Sequence, residues 1–153
     1  MYMVLDQVFD DPTRLAFLNF NYQGGPKWYS MGNNTMHERT IDIARHFFDH
    51  NNLVGYEMWS NSTHNFIPEW HVDRDERLAV QEKRYSLPIC NIVYYPLVEN
   101  LKQGGEFYTD DIVITPKTNR LIIMSPGIFH GVKPYDNAIR SVVAINPWER
   151  RPS

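Results

Sequence analysis

Apolar residues recur along this chain with two different periods, and the change from one to the other divides it. In "TMHERTIDIARHFFDHNN" the apolar positions Ile41, Ala44 and Phe48 fall three and four apart, which places them on one face of a helix. Thr35, with Glu38 three residues on, reads as a capping box that opens this helix, and Asn51 and Asn52 read as its stop. After it the pattern becomes alternating or briefly continuous. "LVGYEMWSN", "SLPICNIVYYPL", "EFYTDDIVIT", "RLIIMSP", "GIFHGVKP" and "AIRSVVAINPW" are predicted strands, separated by the Asn, Gly, Pro and Asp that turns require. Before the helix, "MVLDQVF" and "LAFLNFNYQ" also read as strands and "GGPKWYSMGNN" as a loop. A helix followed by a run of short strands predicts a mostly β fold, an antiparallel sandwich or barrel with a supporting helix on one side.

Composition narrows the classes. With 153 residues the simplest reading is one domain over 1–153, long enough to bury an ordinary core. The formal net charge of −3 and the absence of a basic block before the terminal "ERRP" argue against a nucleic-acid partner. No apolar run reaches membrane-spanning length, and Asp6 interrupts the stretch where a signal peptide would be apolar. The single cysteine, Cys90, excludes an internal disulfide and fits a reducing compartment, so a soluble cytoplasmic protein is expected. Oligomeric state is left open.

The candidate chemistry sits in "EWHVDRDE". On a strand, residues i and i+2 face the same side, so His71 and Asp73 can offer an imidazole nitrogen and a carboxylate oxygen to one cation. A His-x-Asp triplet alone is equally a solvated charge run. His130 in "MSPGIFHGVKP" supplies a second histidine at the end of an apolar run, and Arg140 opens the last apolar strand. An arginine turned inward there needs an anion, because burying an unpaired guanidinium is costly. Two histidines and one carboxylate leave coordination positions open, the arrangement of non-haem iron oxygenases; a structural zinc site would tend to be closed by four protein ligands, and no cysteine cluster is present.

The order His71-x-Asp73, "IVYYPL", "GGEF", "NRLIIMSPGIFHGVKP" and Arg140 resembles the Fe(II)- and 2-oxoglutarate-dependent oxygenases, in their prolyl-hydroxylase-like branch, over roughly Leu53 to Trp148. The resemblance implies a double-stranded β-helix core of the jelly-roll or cupin-like kind over 53–148, with N-terminal strands and the helix over 1–52. It implies His71, Asp73 and His130 as iron ligands and Arg140 as the anchor of 2-oxoglutarate. The resemblance also implies a tyrosine on the same distal carboxylate, which falls on Tyr95; Tyr94 would face the opposite side, and strand register decides which of the two turns inward. O2 is the second co-substrate and ascorbate a supporting reductant. The implied reaction is hydroxylation of a C–H bond with conversion of 2-oxoglutarate to succinate, on a prolyl residue of a peptide or protein or on a small molecule. Two departures stand out. Where many relatives carry Ser or Thr two residues after the anchor, this chain has Val142, with Ser141 displaced by one. Six after the anchor it has Asn146, not the second arginine of the nucleic-acid demethylases.

Asn146 shares Arg140's alternation and reads as pocket lining or a strand end, and Trp59 as cleft wall or core. Asp75 and Glu76, behind the iron pair, read either as outer contacts of that pair or as solvated, with solvent favoured, and Gly104 and Gly105 as a tight turn or bulge. His37, His46, His50 and His64 show no partner pattern; His46 and His50, four apart on the expected helix, read as a wet face. The stretches "QGGPKWYSMGNN" and "SNSTHNFIP" are candidates for substrate selection. A non-enzymatic, metal-dependent binding or sensor module on the same fold is the competing reading, and Arg140 argues against it. A cupin that needs no co-substrate ranks last, since position 73 is Asp rather than His. Both histidines must be neutral to ligate, so activity is expected to fall with falling pH.

Overall fold

A computed structural model describes residues 1–33, 35–60 and 70–153. The cap expected of Thr35, the residue His64 and nearly all of the 60–68 loop lie outside the described residues. In chain order the elements are β1 (Tyr2–Asp6), α1 (Asp11–Asn19), β2 (Lys27–Ser30), α2 (Thr35–Ala44), β3 (Gly55–Ser60), α3 (Glu76–Glu82), β4 (Asn91–Glu99), β5 (Phe107–Tyr108), β6 (Val113–Ile114), β7 (Arg120–Met124), β8 (Gly131–Val132) and β9 (Ile139–Trp148). Six strands form one antiparallel sheet in the order β1-β7-β4-β9-β3-β2, and three short ones a second sheet, β6-β5-β8. The mostly β double-stranded β-helix expected from the sequence is the architecture observed. No helix among the described residues is long and apolar enough to cross a membrane.

Alternation along the large sheet builds two cores back to back. One face sends Tyr56 and Met58 of β3, Ile92 and Tyr94 of β4, Leu121 and Ile123 of β7, and Val143 and Ile145 of β9 against Phe17, Ile41 and Ala44 of the helices. The other face sends Tyr95, Ile122, Met124 and Val142 against Phe107 and Ile114 of the small sheet. Between the two sheets lies a cavity of about 1090 Å³. Any residue on the second alternation of β3, β4 or β9 therefore faces either this inner core or the cavity.

Four local expectations are corrected. "LAFLNFNYQ" does not form a strand: residues 11–19 are helical, because Asp10 accepts a hydrogen bond from the Thr13 amide at 2.9 Å and Pro12 sits in the first turn, both helix-start signals. The expected loop "GGPKWYSMGNN" contains strand β2, which pairs with β3; Gly55 leaves room for the Trp28 ring, where a Cβ would come within 2.4 Å. Helix α2 ends at Ala44, well short of Asn52. His50 consequently lies beyond the helix and is buried, its Nδ1 against the Phe48 carbonyl at 2.7 Å and its Nε2 3.9 Å from Cys90 Sγ. Burial pushes that thiol up to about 12, so Cys90 stays protonated and inert. His46 is exposed, as expected of it alone.

His37 is fully buried among Phe17, Phe20 and Tyr22, with Nε2 2.7 Å from the Tyr22 hydroxyl. Burial pushes its pKa from 6.5 down to about 3. Below the ordinary value the unfolded chain takes up a proton that the native state refuses, so stability is lost as pH falls. The stability gap between wild type and His37→Gln, measured by urea unfolding, should narrow by about 1.4 kcal/mol per pH unit from ~6 to ~4 and be constant above ~7.5.

Candidate metal and co-substrate site

His71 and His130 are brought together by backbone pairing. The His71 amide donates to the His130 carbonyl at 3.0 Å and the His130 amide to the His71 carbonyl at 2.8 Å, an isolated antiparallel bridge at the edge of the small sheet. Directly opposed residues of such a pair present side chains to the same face, and the two imidazole centroids lie 4.5 Å apart. Asp73, two residues on, turns to the same point: its Oδ1 is 3.1 Å from His71 Nε2 and 3.8 Å from His130 Nε2. One ligand atom from each of the three residues lies within 4.8 Å of the others.

The donor set fits a divalent ion. His130 Nδ1 sits 2.8 Å from the Ile128 carbonyl, which assigns its proton to Nδ1 and leaves the Nε2 lone pair facing Asp73. Burial lowers the His130 pKa against the opposing pull of Asp73, so the ring is neutral near pH 7. Asp73 is nearly enclosed. Burial raises its carboxyl, but the hydrogen bond from His71, the charge of His130 and the Asn146 amide outweigh that and hold it below the ordinary value. Oδ2 accepts from Asn91 Nδ2 at 3.0 Å and from Asn146 Nδ2 at 3.1 Å, while Asn91 also donates to Asn146 Oδ1 at 2.9 Å. The carboxylate is thus gripped by one oxygen and offers the other.

Arg140 is buried, with 3% of its surface exposed, which settles the inward alternative for that strand. Its Nε donates to the Gly105 carbonyl at 2.8 Å and its Nη2 to the Tyr95 hydroxyl at 3.4 Å. Among the described residues no carboxylate lies within ion-pair distance of it. Gly104 makes this arrangement: at φ +81° it passes so close to Pro134 that a Cβ would fall 1.9 Å from the Pro134 oxygen, and this contact sets the next carbonyl on the guanidinium. Tyr95 faces Arg140, and Tyr94 points the other way, its hydroxyl donating to Asn119 Oδ1 at 2.7 Å. A register shift between Tyr94 and Leu97 follows, so Tyr95 stands at a bulge, where strands re-aim side chains. The Tyr135 ring lies 5.7 Å from the guanidinium, and its buried hydroxyl has no hydrogen-bond partner among the described residues.

The sequence-derived candidates share one cavity, except Tyr95, which is fully buried beside Arg140 and is not part of the lining. Trp59, His71, Asp73, His130, Arg140 and Asn146 all line it, as does Val142. Asn146 is seated on Asp73 rather than beside Arg140. Asp75 is corrected: it is buried, not solvated, capping α3 through the Leu78 amide at 3.1 Å and accepting from the Ser153 amide at 2.7 Å. Glu76 is the outer residue, paired with Arg74 at 3.0 Å. Helix α3 was missed because "DRDE" read as a charge run, although Asp75 ahead of "ERLAVQE" is a cap followed by helix formers. Asn91, Glu57, Gly105 and Tyr135 were missed as well. Asn91 carried a signal, since it shares the alternation of Val93 and Tyr95, and Gly105 carried one as the second glycine of "GGEF", though not its contact with Arg140; Tyr135 carried none, because only tertiary packing sets it there.

No protein-family model matches this sequence, and no curated protein does. The fold is shared with solved 2-oxoglutarate oxygenase structures. A viral collagen prolyl hydroxylase from Paramecium Bursaria Chlorella virus-1, in its 2-oxoglutarate complex, superposes with a TM-score of 0.66 at 14% identity over 95% of this chain and 94% of that one. A prolyl-4-hydroxylase from Pseudomonas putida gives 0.64 at 14% identity over 98% and 93%. A prolyl hydroxylase from Trichoplax adhaerens, bound to a hypoxia-inducible-factor degradation-domain peptide, gives 0.61 at 13% over 97% and 83%. The class defined here is a double-stranded β-helix of the kind these oxygenases share, with a two-histidine, one-carboxylate cluster in its cavity.

Outer contacts of a metal ligand commonly govern affinity by ten- to a hundredfold. Asn146→Ala removes one of the two amides on Asp73 Oδ2. It is expected to weaken Mn(II) binding by roughly tenfold or more, read by calorimetry, with the melting temperature of the metal-free protein as the control on folding.

Proposed function

We propose that this protein is an Fe(II)- and 2-oxoglutarate-dependent oxygenase that hydroxylates a C–H bond, with a prolyl residue in a peptide as the substrate. One observation supports the reading: a two-histidine, one-carboxylate cluster that could hold a cation lines the same cavity as a buried guanidinium with no carboxylate partner among the described residues. His71, Asp73 and His130 would hold iron, and Arg140 the far carboxylate of 2-oxoglutarate. The Tyr95 hydroxyl, which burial keeps protonated, accepts from Arg140 and has its own proton left to donate to that carboxylate. Tyr135, whose hydroxyl has no partner among the described residues, would supply a donor where the Val142 side chain has none. The bound pair supplies oxidative decarboxylation coupled to C–H oxidation, chemistry that belongs to the cofactor rather than to the chain. The chain's part is to bind and orient. Asn91 and Asn146 fix Asp73, the Ile128 carbonyl fixes the His130 tautomer, and the apolar wall of Phe107, Val142 and Met124 limits water. A peptide substrate is supported by the Trichoplax neighbour, whose fold binds one.

The test is anaerobic reconstitution with Fe(II) and 2-oxoglutarate, followed by exposure to air with prolyl peptides, with ascorbate present. A visible charge-transfer band and then succinate are expected. Metal binding with neither band nor succinate would instead identify a metal-dependent binding module.

A further inference from the structure

Strand β3 has an inner face that the reading above does not use. Glu57 and Trp59, at i and i+2, both line the cavity. Glu57 stands directly across from Asn146 on β9, the residue whose amide holds Asp73, so it is one cross-strand step from the metal cluster. Its Oε1 accepts from Trp148 Nε1 at 2.9 Å. Among the described residues no second donor and no cation meets Glu57. Burial raises its carboxyl despite that hydrogen bond, and the charges of Asp73 and Asp75 raise it further. Trp59 belongs to neither apolar core, and its ring has no aromatic or cationic partner among the described residues. The other charges on the wall are engaged: Arg74 by Glu76, Arg77 by Gln81, and Asp75 by Arg150 and two backbone amides.

A half-buried carboxylate short of a cation, beside an indole face, is a receptor for a positively charged nitrogen. Same-face neighbours on a strand are about 7 Å apart, which leaves room for an alkylammonium between carboxylate and ring. We propose that the substrate carries a protonated nitrogen within a few bonds of the carbon that is oxidised, and that Glu57 and Trp59 hold it. This rests on the oxygenase reading and narrows it. An internal prolyl nitrogen is an uncharged amide, so the charge comes from a free or N-terminal amine or from a basic side chain beside the reacting unit.

The probes are pyrrolidine and butylamine, both protonated at neutral pH, each paired with its N-acetyl derivative, which is not. Binding is measured by calorimetry to wild type, Glu57→Gln and Trp59→Leu, with and without metal and 2-oxoglutarate. Wild type should bind the amines roughly tenfold more tightly than the acetylated forms, the size of one ion-pair and one cation–π contact together. Glu57→Gln keeps an acceptor for Trp148 and should erase that preference, and Trp59→Leu should reduce it severalfold. An amine that binds wild type no better than its acetylated partner, including no binding by either, overturns the proposal. So does a preference that survives in Glu57→Gln. The charge-transfer band of the iron complex, which should form in wild type and Glu57→Gln alike, tests the oxygenase reading separately. The source of the charge is read from L-proline and L-lysine as free amino acids, N-acetyl-lysine amide with a charged side chain only, and prolylglycine amide with a charged terminus only.

Discussion

Asp73→Ala is expected to abolish iron retention and succinate formation together. Asp73 is the anion of the cluster, and its Oδ1 faces both histidine Nε2 atoms. Without it two neutral imidazoles remain, a set that holds a divalent ion poorly. Removing one charged partner from a buried arrangement costs about 4 kcal/mol, or roughly a thousandfold in affinity. The measurement is thermal denaturation with and without Mn(II). Wild type should gain stability with rising metal, since an ion that binds only the native state stabilises it by mass action, and Asp73→Ala should show no gain. Asn91 and Asn146 lose their acceptor in the variant, so its metal-free melting temperature must be compared first. A metal-dependent gain that persisted in Asp73→Ala would place the ion elsewhere.

Arg140→Ala separates the co-substrate from the metal. None of the contacts of Arg140 is to a residue of the cluster: they are the Gly105 carbonyl and the Tyr95 and Tyr135 rings. Metal binding should therefore survive, while the 2-oxoglutarate needed for half-formation of the charge-transfer band rises roughly a hundred- to a thousandfold. That is the loss of charge-assisted hydrogen bonds worth about 3–4 kcal/mol in a desolvated site. Arg140→Lys should recover part of the loss. A single ammonium restores the charge but cannot bond the Gly105 carbonyl and a carboxylate in the same fork geometry. An unchanged requirement in Arg140→Ala would mean that the anion is bound by other groups.

Much of this site was legible because strands alternate. The i, i+2 rule placed His71 beside Asp73 and gave Asn146 the parity of Arg140, but it left the choice between Tyr94 and Tyr95 to the strand register, which turns the Tyr95 hydroxyl to Arg140 and that of Tyr94 to Asn119. Reading failed where a helix start looked like something else. The Asp10–Pro12 signal was hidden by the apolar run after it, and Leu15 in that run is in fact exposed. Asp75 was hidden by the charges around it. Glu57 was passed over because an acidic residue between tyrosine and methionine reads as the wet side of a half-exposed strand, whereas both sides of β3 are covered, one by helices and one by the cavity wall.

The amino-acid sequence by itself determined which residues could share a face, since side-chain period follows from local backbone geometry alone. Only the tertiary structure decided which faces meet. The His71–His130 bridge, the two amides on Asp73 and the Gly105 carbonyl on Arg140 all join segments distant in the chain. Such contacts depend on loop closure and sheet register, which no local pattern encodes.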